Sequence, residues 1–223
     1  MRVLVEPHQR GAENMARDEA LLEAAEPVVR LYGWRPACVS LGRAQTEADV
    51  DLDAARAWGM DVVRRATGGG AILHNEEEVT YAVVLPLSWP SLPRDITGSF
   101  ARMSAGVVEA LRGLGVAAEI ESVPDNTRET LCYVRKQGTN VVVGGRKISG
   151  GAQRRTDRAI LQHGTIIVRR DEERMARLFG TPREQIEARV TSLEEEGVRV
   201  SREKLAEALA RGFERALALG QKE

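Results

Sequence analysis

A chain of 223 residues, 43% hydrophobic and 29% charged, has the length and balance of a globular domain with a substantial core. Thirty-two basic residues oppose thirty-three acidic ones, and a formal net charge of −1 argues against a protein built chiefly to hold nucleic acid. Two cysteines, Cys38 and Cys132, indicate no disulfide framework. No apolar run approaches the roughly 20 residues of a membrane span, and the first residues do not resemble a signal peptide, so a reducing cytoplasmic setting away from membranes is expected.

Residues 2–6 alternate apolar and polar and read as a strand. Residues 14–25 carry Met15, Ala16, Ala20, Leu21 and Leu22 at helical spacing, with Asn14 as a plausible N-cap and Pro27 as the stop. Residues 28–34 and 38–41 read as buried strands, 50–58 as a short amphipathic helix and 61–65 as a strand. The β-branched run 79–85 is another buried strand. Three prolines make 86–93 a loop. Phe100, Met103, Val107, Val108 and Leu111 share one face of a helix over 96–114. Residues 117–120 read as a strand and 123–129 as a polar loop. Strands at 140–143 and 146–149 flank Gly144-Gly145, a two-residue hairpin signal because such turns need positive φ. A strand over 159–168 is expected to be interrupted near Gly164. Helices follow at 172–179 and, capped by Ser201, at 201–219, and a further element is expected to begin at 190–193. The order implies an α+β fold around a mixed, largely antiparallel sheet flanked by helices, and a single domain over residues 1–223.

Two glycine-rich segments carry the functional argument. Arg64-Arg65-Ala66-Thr67-Gly68-Gly69-Gly70-Ala71-Ile72-Leu73-His74 places three bare glycines between strands, a backbone that can point N–H groups at a phosphate or carboxylate. It lacks the spacing of a P-loop, and no helix follows as in a dinucleotide fingerprint. A tight turn or bulge would use the same glycines, but the paired arginines and the histidine favour a ligand. The second segment, Gly145-Arg146-Lys147-Ile148-Ser149-Gly150-Gly151-Ala152-Gln153, fixes Lys147 just past the hairpin. An ammonium held there is suited to an oxygen on which negative charge develops. Arg64, Arg65, Arg146, Lys147, Arg154, Arg155 and Arg158 gather around these segments, so a local basic patch for an anionic ligand is compatible with the neutral whole.

Taken with Leu161-Gln162-His163-Gly164-Thr165, Asn14 to Glu19, Ser40 to Gln45, Thr80-Tyr81 and Thr191-Ser192-Leu193, these segments resemble the lipoate–protein ligase and octanoyltransferase family over nearly the whole chain. The resemblance implies the class II synthetase-like catalytic domain shared with biotin–protein ligases. It also implies transfer of an octanoyl or lipoyl group to a lysine of a lipoyl carrier domain, either H protein or the E2 subunit of a 2-oxoacid dehydrogenase. By that resemblance Arg65, Thr67, Gly68, Gly69, Gly70, Ala71 and His74 line an acyl or acyl-adenylate pocket. Ser149, Gly150, Gly151, Ala152, His163 and Gly164 form the opposite wall, and Lys147 orients the acyl carbonyl. Ala66 stands where the family pattern leads one to expect proline.

Two chemistries share this pattern. A ligase consumes ATP with Mg2+ to make an acyl-adenylate from free lipoate. An octanoyltransferase needs no tightly bound cofactor and takes the acyl group from octanoyl-acyl carrier protein onto a cysteine. Cys132 lies fifteen residues before Lys147 (147 − 132), the placement of the nucleophile in one group of bacterial octanoyltransferases and amidotransferases. Cys132-Tyr133 resembles the cysteine–aromatic pair of that group, with Arg135, Lys136 and Lys147 as nearby positive charge. Gly138-Thr139-Asn140 is nearer to some ligases. Cys132 is expected where a loop meets a strand, more exposed than a core position, and Cys38 is expected in the core. The transferase is the favoured route. A ligase would call for a small accessory subunit, since no C-terminal accessory domain is evident. Biotin–protein ligases are disfavoured because their Gly-Arg-Gly-Arg loop is absent. A cysteine hydrolase using Cys132 and His163 and a non-catalytic lipoyl-binding subunit remain as rivals. Octanoate against lipoate, the carrier and the oligomeric state stay open.

Overall fold

Residues 28–34, 79–86 and 159–166 are mostly apolar, with Arg30, Thr80, Gln162, His163 and Thr165 as buried polar members, and in a computed structural model they form the buried middle of a seven-stranded sheet. A strand covered on both faces has no polar side to alternate with. The structure describes residues 1–90, 92–123, 131–134 and 138–218. Within them the chain runs β1 (Arg2–Gln9), α1 (Gly11–Ala24), β2 (Val28–Trp34), β3 (Cys38–Leu41), α2 (Leu52–Ala57), β4 (Asp61–Arg64), β5 (Ile72–His74), β6 (Val79–Pro86), α3 (Ile96–Gly113) and β7 (Glu119–Val123). It continues β8 (Gly138–Val143), β9 (Arg146–Arg155), β10 (Ala159–Ile166), α4 (Glu172–Phe179), α5 (Arg183–Arg189) and α6 (Arg202–Leu217), with a 3-10 turn at Cys132–Val134.

The large sheet has the order β1-β2-β6-β10-β9-β8-β7, antiparallel except between β1 and β2. A small sheet, β4-β3-β5, pairs β3 with β4 in parallel and with β5 antiparallel. This is the expected α+β architecture with a mostly antiparallel sheet. Helices α3 and α6 cover one face of the large sheet, packing Met103, Val107, Leu111, Leu205, Leu209 and Phe213 against Leu31, Tyr81, Val83 and Ile160. Helix α1 covers the other face through Met15, Leu21 and Leu22 on Val28, Tyr32, Val84 and Leu161. The small sheet shares a further core with α4 and α5, built on Val39, Leu41, Ile72, Leu73, Met175, Leu178 and Ile186.

Several boundaries moved for identifiable reasons. Helix α1 begins at Gly11 and Arg10 is its N-cap, so Asn14 lies inside the helix. The Asn14 side chain donates to Gly33 O (3.0 Å) and accepts from Arg30 Nη2 (2.7 Å), a tertiary role that outweighs its capping preference. Strand β10 runs unbroken through Gly164, whose missing side chain leaves room for Gly150 O and the Tyr81 hydroxyl. Helix α2 is shorter than expected because Asp51 caps it, accepting from Ala54 N at 2.9 Å. Residues 190–193 start no element. Val190 bridges to Lys147, and Thr191 and Leu193 donate backbone bonds to Lys147 O (3.0 Å) and Ile167 O (2.9 Å). The expected loop at 123–129 falls almost wholly outside the described residues, as do Arg135 and Lys136.

Candidate active site

Gly144 and Gly145 take φ values of 54° and 77°, the left-handed pair a two-residue hairpin requires, so the turn is as the sequence indicates. The β8–β9 pairing then slips: Val142 faces Lys147, but Val141 faces Ser149, leaving Ile148 as an extra residue on β9. Such a bulge re-aims the neighbouring side chain. Lys147 is buried at 6% exposure, and its ammonium donates to Cys132 O at 3.0 Å and lies 3.9 Å from Cys132 Sγ.

Cys132 opens the 3-10 turn Cys132–Val134 rather than a loop–strand junction, and at 7% exposure it is more buried than expected. It is held from both sides. Its N–H donates to Ala71 O at 2.8 Å and its carbonyl accepts from Lys147. Ala71 follows the glycine triplet directly, so the nucleophile candidate and the glycine loop are fixed to each other through one backbone bond.

A cavity of about 280 Å3 opens between them. Among the described residues it is lined by Gly68, Gly69, Gly70, Cys132, Lys147, Gly151 and Ala152, all anticipated, and by Ile96, Thr97, Phe100, Thr139, Asn140 and Gln153, which were not. Gln153 and Asn140 sat inside segments already noted. Ile96, Thr97 and Phe100 enter the site from α3, where Ile96 is 69% exposed at the start of the helix. A second cavity of about 270 Å3 shares Gly68 and Gln153 with the first and is lined by Arg43, Arg154 and Arg155 among others, which is where part of the expected basic patch lies.

Other expected pocket residues support the wall from behind. Arg65 is 3% exposed, and its Nη2 donates to both Gly68 O and Gly70 O at 2.9 Å. Its Nη1 bonds Ser40 Oγ at 3.0 Å. Gly42 gives the loop space, because any side chain there would collide with Gly69 O. Thr67 bonds His163 Nε2 at 2.7 Å, behind the loop. Ser149, Gly150 and Gly164 lie within the sheet and do not line the cavity.

His74 does not reach the cavity either. It stacks on Trp34 (centroids 4.1 Å apart, planes at 16°) and bonds Ser40 Oγ through Nε2 at 2.7 Å. Burial first, then the charge of Arg65, drives its pKa well below the ordinary 6.5, so it is a neutral core histidine. Cys38 lies opposite it in the β3–β5 pairing and is fully buried, as expected. Burial, reinforced by Asp61, pushes its thiol well above the ordinary 9.0. Among the described residues no helix is long and apolar enough to cross a membrane.

A family model described as the lipoyl protein ligase A/B catalytic domain matches residues 10–214. A protein named octanoyltransferase LipM from Anoxybacillus flavithermus is 35% identical, the match covering 92% of this chain and 82% of that protein. Among solved structures, lipoate-protein ligase A bound with ATP superimposes with a TM-score of 0.80 at 29% identity, covering 100% of this chain and 87% of the other. A bi-partite lipoate protein ligase from Thermoplasma acidophilum also gives 0.80, at 28% identity and with 100% and 85% coverage.

Proposed function

This chain belongs to the lipoyl protein ligase A/B catalytic domain family, and we propose that it is a cytoplasmic octanoyltransferase of lipoate metabolism that acts through a thioester on Cys132. The observation that carries the choice is the Lys147 ammonium beside Cys132 Sγ, at the wall of the cavity that the glycine loop closes. A cation at this place supplies the counter-charge for a thiolate and, later, for a carbonyl oxygen. The relatives named octanoyltransferase support the same reading.

The chemistry balances in two displacements. The Cys132 thiolate attacks the carbonyl carbon of an octanoyl thioester on acyl carrier protein. The new bond from Sγ to the acyl carbon forms as the donor's bond from sulfur to that carbon breaks, and the donor leaves as a thiolate that takes up a proton. The neutral ε-amine of a lysine on the lipoyl carrier domain then attacks the same carbon. An amide forms, the bond to Sγ breaks, and the amine's proton is lost as the Cys132 thiolate is restored. Lys147 attends both displacements because its anchoring to Cys132 O keeps the ammonium at the reacting atoms. The cavity, close to the lower end of the roughly 300–1,000 Å3 usual for small-molecule sites, suits a short acyl chain lying against Ile96, Phe100, Ala152 and the glycines. No tightly bound cofactor enters this scheme.

Incubation of the protein with octanoyl-acyl carrier protein, without ATP, followed by intact mass measurement, tests the proposal. An octanoyl adduct labile to hydroxylamine and missing in Cys132→Ser is the expected result. No adduct, with lipoate and ATP instead yielding a bound adenylate, would replace it with the ligase reading.

A further inference from the structure

A buried line of hydrogen bonds runs from helix α1 through the large sheet to the back of the glycine loop, and the acyl-transfer steps make no use of it. Asp18 Oδ2 lies 2.9 Å from His163 Nδ1, and His163 Nε2 lies 2.7 Å from Thr67 Oγ1. Asp18 is 1% exposed, Thr67 1% and His163 5%. From these three residues we infer that His163 is a positioning residue: Asp18 holds it as the neutral Nδ1–H tautomer, and through Thr67 it clamps the glycine wall of the acyl cavity.

With a neutral ring, the direction of every bond in the line follows from Asp18. Asp18 accepts from Arg30 Nη1 on Oδ1 (2.7 Å) and from the Tyr32 hydroxyl on Oδ2 (2.9 Å). Burial first, then Asp18 itself, raises the Tyr32 pKa well above 10.0, so that hydroxyl keeps its proton and donates. An ionised Asp18 has only acceptors to offer. His163 Nδ1 must therefore carry the hydrogen, since a lone pair there would face a carboxylate at hydrogen-bond distance. In the neutral ring Nε2 is then the acceptor, and Thr67 gives it the hydroxyl proton. The Thr67 oxygen in turn accepts from Arg65 Nε at 3.3 Å. Arg65 donates to Thr67, Thr67 to His163, and His163 to Asp18. An imidazolium would turn the Thr67 bond around, Nε2–H then donating, and the buried Thr67 hydroxyl would have to send its own proton to another acceptor.

The wall needs support of this kind because glycines bring no side chains with which to anchor themselves. Arg65 holds Gly68 O and Gly70 O, and His163 fixes Thr67, the one polar side chain next to the triplet. The loop is thus tied to β10 and α1 as well as to its own arginine. A wall prepared in advance lowers the ordering cost of binding. Release of the clamp should therefore weaken capture of the acyl donor more than the chemistry at Cys132. That functional half rests on the acyl-transfer proposal, whereas the tautomer does not.

The test has two independent readouts. In the full-length protein labelled with 15N-histidine, the His163 signals, assigned by their loss in His163→Gln, should report a neutral ring protonated at Nδ1 at neutral pH. An Nε2–H tautomer or an imidazolium would overturn the inference without any substrate being involved. In steady-state transfer from octanoyl-acyl carrier protein, Thr67→Val should raise KM about tenfold with kcat within a factor of three, and Thr67→Ser should restore KM. An unchanged KM in Thr67→Val, or a kcat loss that matches or exceeds the change in KM, would overturn the clamp. Should Thr67→Val fail to fold, failure of Thr67→Ser to retain wild-type KM would count against it equally. If the wild-type chain forms no octanoyl adduct, the acyl-transfer proposal fails while the tautomer measurement still decides this one.

Discussion

The neighbourhoods of Cys38 and Cys132 make an instructive pair, because burial barely separates the two thiols. Cys38 is 0% exposed and Cys132 7%. Cys38 sits in a strand opposite His74, with Tyr32 and Trp34 in the same core, and the nearby charge of Asp61 raises its pKa further. Cys132 sits on a turn held by Ala71 and Lys147, with an ammonium near its sulfur and a cavity in front of it. What distinguishes a candidate nucleophile from a small hydrophobe here is the sign of the adjacent charge and access to a void.

The largest test of that contrast is to remove each thiol. Cys132→Ala should lower the rate of octanoyl transfer on the order of 10^4-fold or more, as loss of a nucleophile generally does, while Cys38→Ala should retain activity. Equal losses in the two variants would erase the distinction. Iodoacetamide with peptide mapping of the native protein sharpens it: carboxamidomethylation should fall on Cys132 and leave Cys38 unmodified until the chain is unfolded. Next in size is Lys147→Ala, expected to cost roughly 10^2–10^3-fold, the usual loss for one preorganised donor at a developing oxyanion. Circular dichroism should show the variant folded, and full activity would remove Lys147 from the site.

A smaller effect concerns the wall facing Cys132. Gly69 has φ of +90°, which a β-branched residue adopts only with strain, and it lines the cavity. Gly69→Val should raise the KM for the acyl donor by about tenfold or more, equivalent to at least one 1.4 kcal/mol step. Unchanged kinetics would mean that the loop does not bound the acyl site.

Much of this arrangement was legible in the chain. The hairpin, the alternation of buried strands and the three glycines carry their conformations locally, so Lys147 and Gly68 to Gly70 fall where the residues indicate. Long-range pairing was not legible. Asn14 looks like a cap until Arg30, sixteen residues on, claims its side chain. Gly164 looks like a break until Tyr81 and Gly150 are seen to need its space. His74 follows the glycine loop in sequence, but the β3–β5 pairing turns it onto Trp34 and away from the cavity. Ile96, Thr97 and Phe100 join the site only because α3 packs across the sheet, and nothing within that helix announces a ligand.

His74 also supplies the smallest and most specific test of the closed neighbourhood. Burial holds its pKa well below 6.5 in the folded protein, so on acidification below that value the unfolded chain takes up a proton that the folded chain refuses. Protons bound by the unfolded state alone favour unfolding, so this contribution to stability is present above about pH 6.5 and is lost as the pH falls through it. Its limiting slope is about 1.4 kcal/mol per pH unit. Glu78, 3.6 Å from His74, works in the opposite sense: burial raises its pKa well above 4.5, so its contribution is lost as pH rises. Urea unfolding of the wild type and of His74→Gln at pH 7.5 and 5.5 separates the two, because Glu78 is common to both chains. The wild type should lose about 1 kcal/mol more than the variant between those pH values. An equal loss would mean that the folded protein protonates His74 as readily as the unfolded chain does, and that the region around Cys38 is more open to charge than its packing implies.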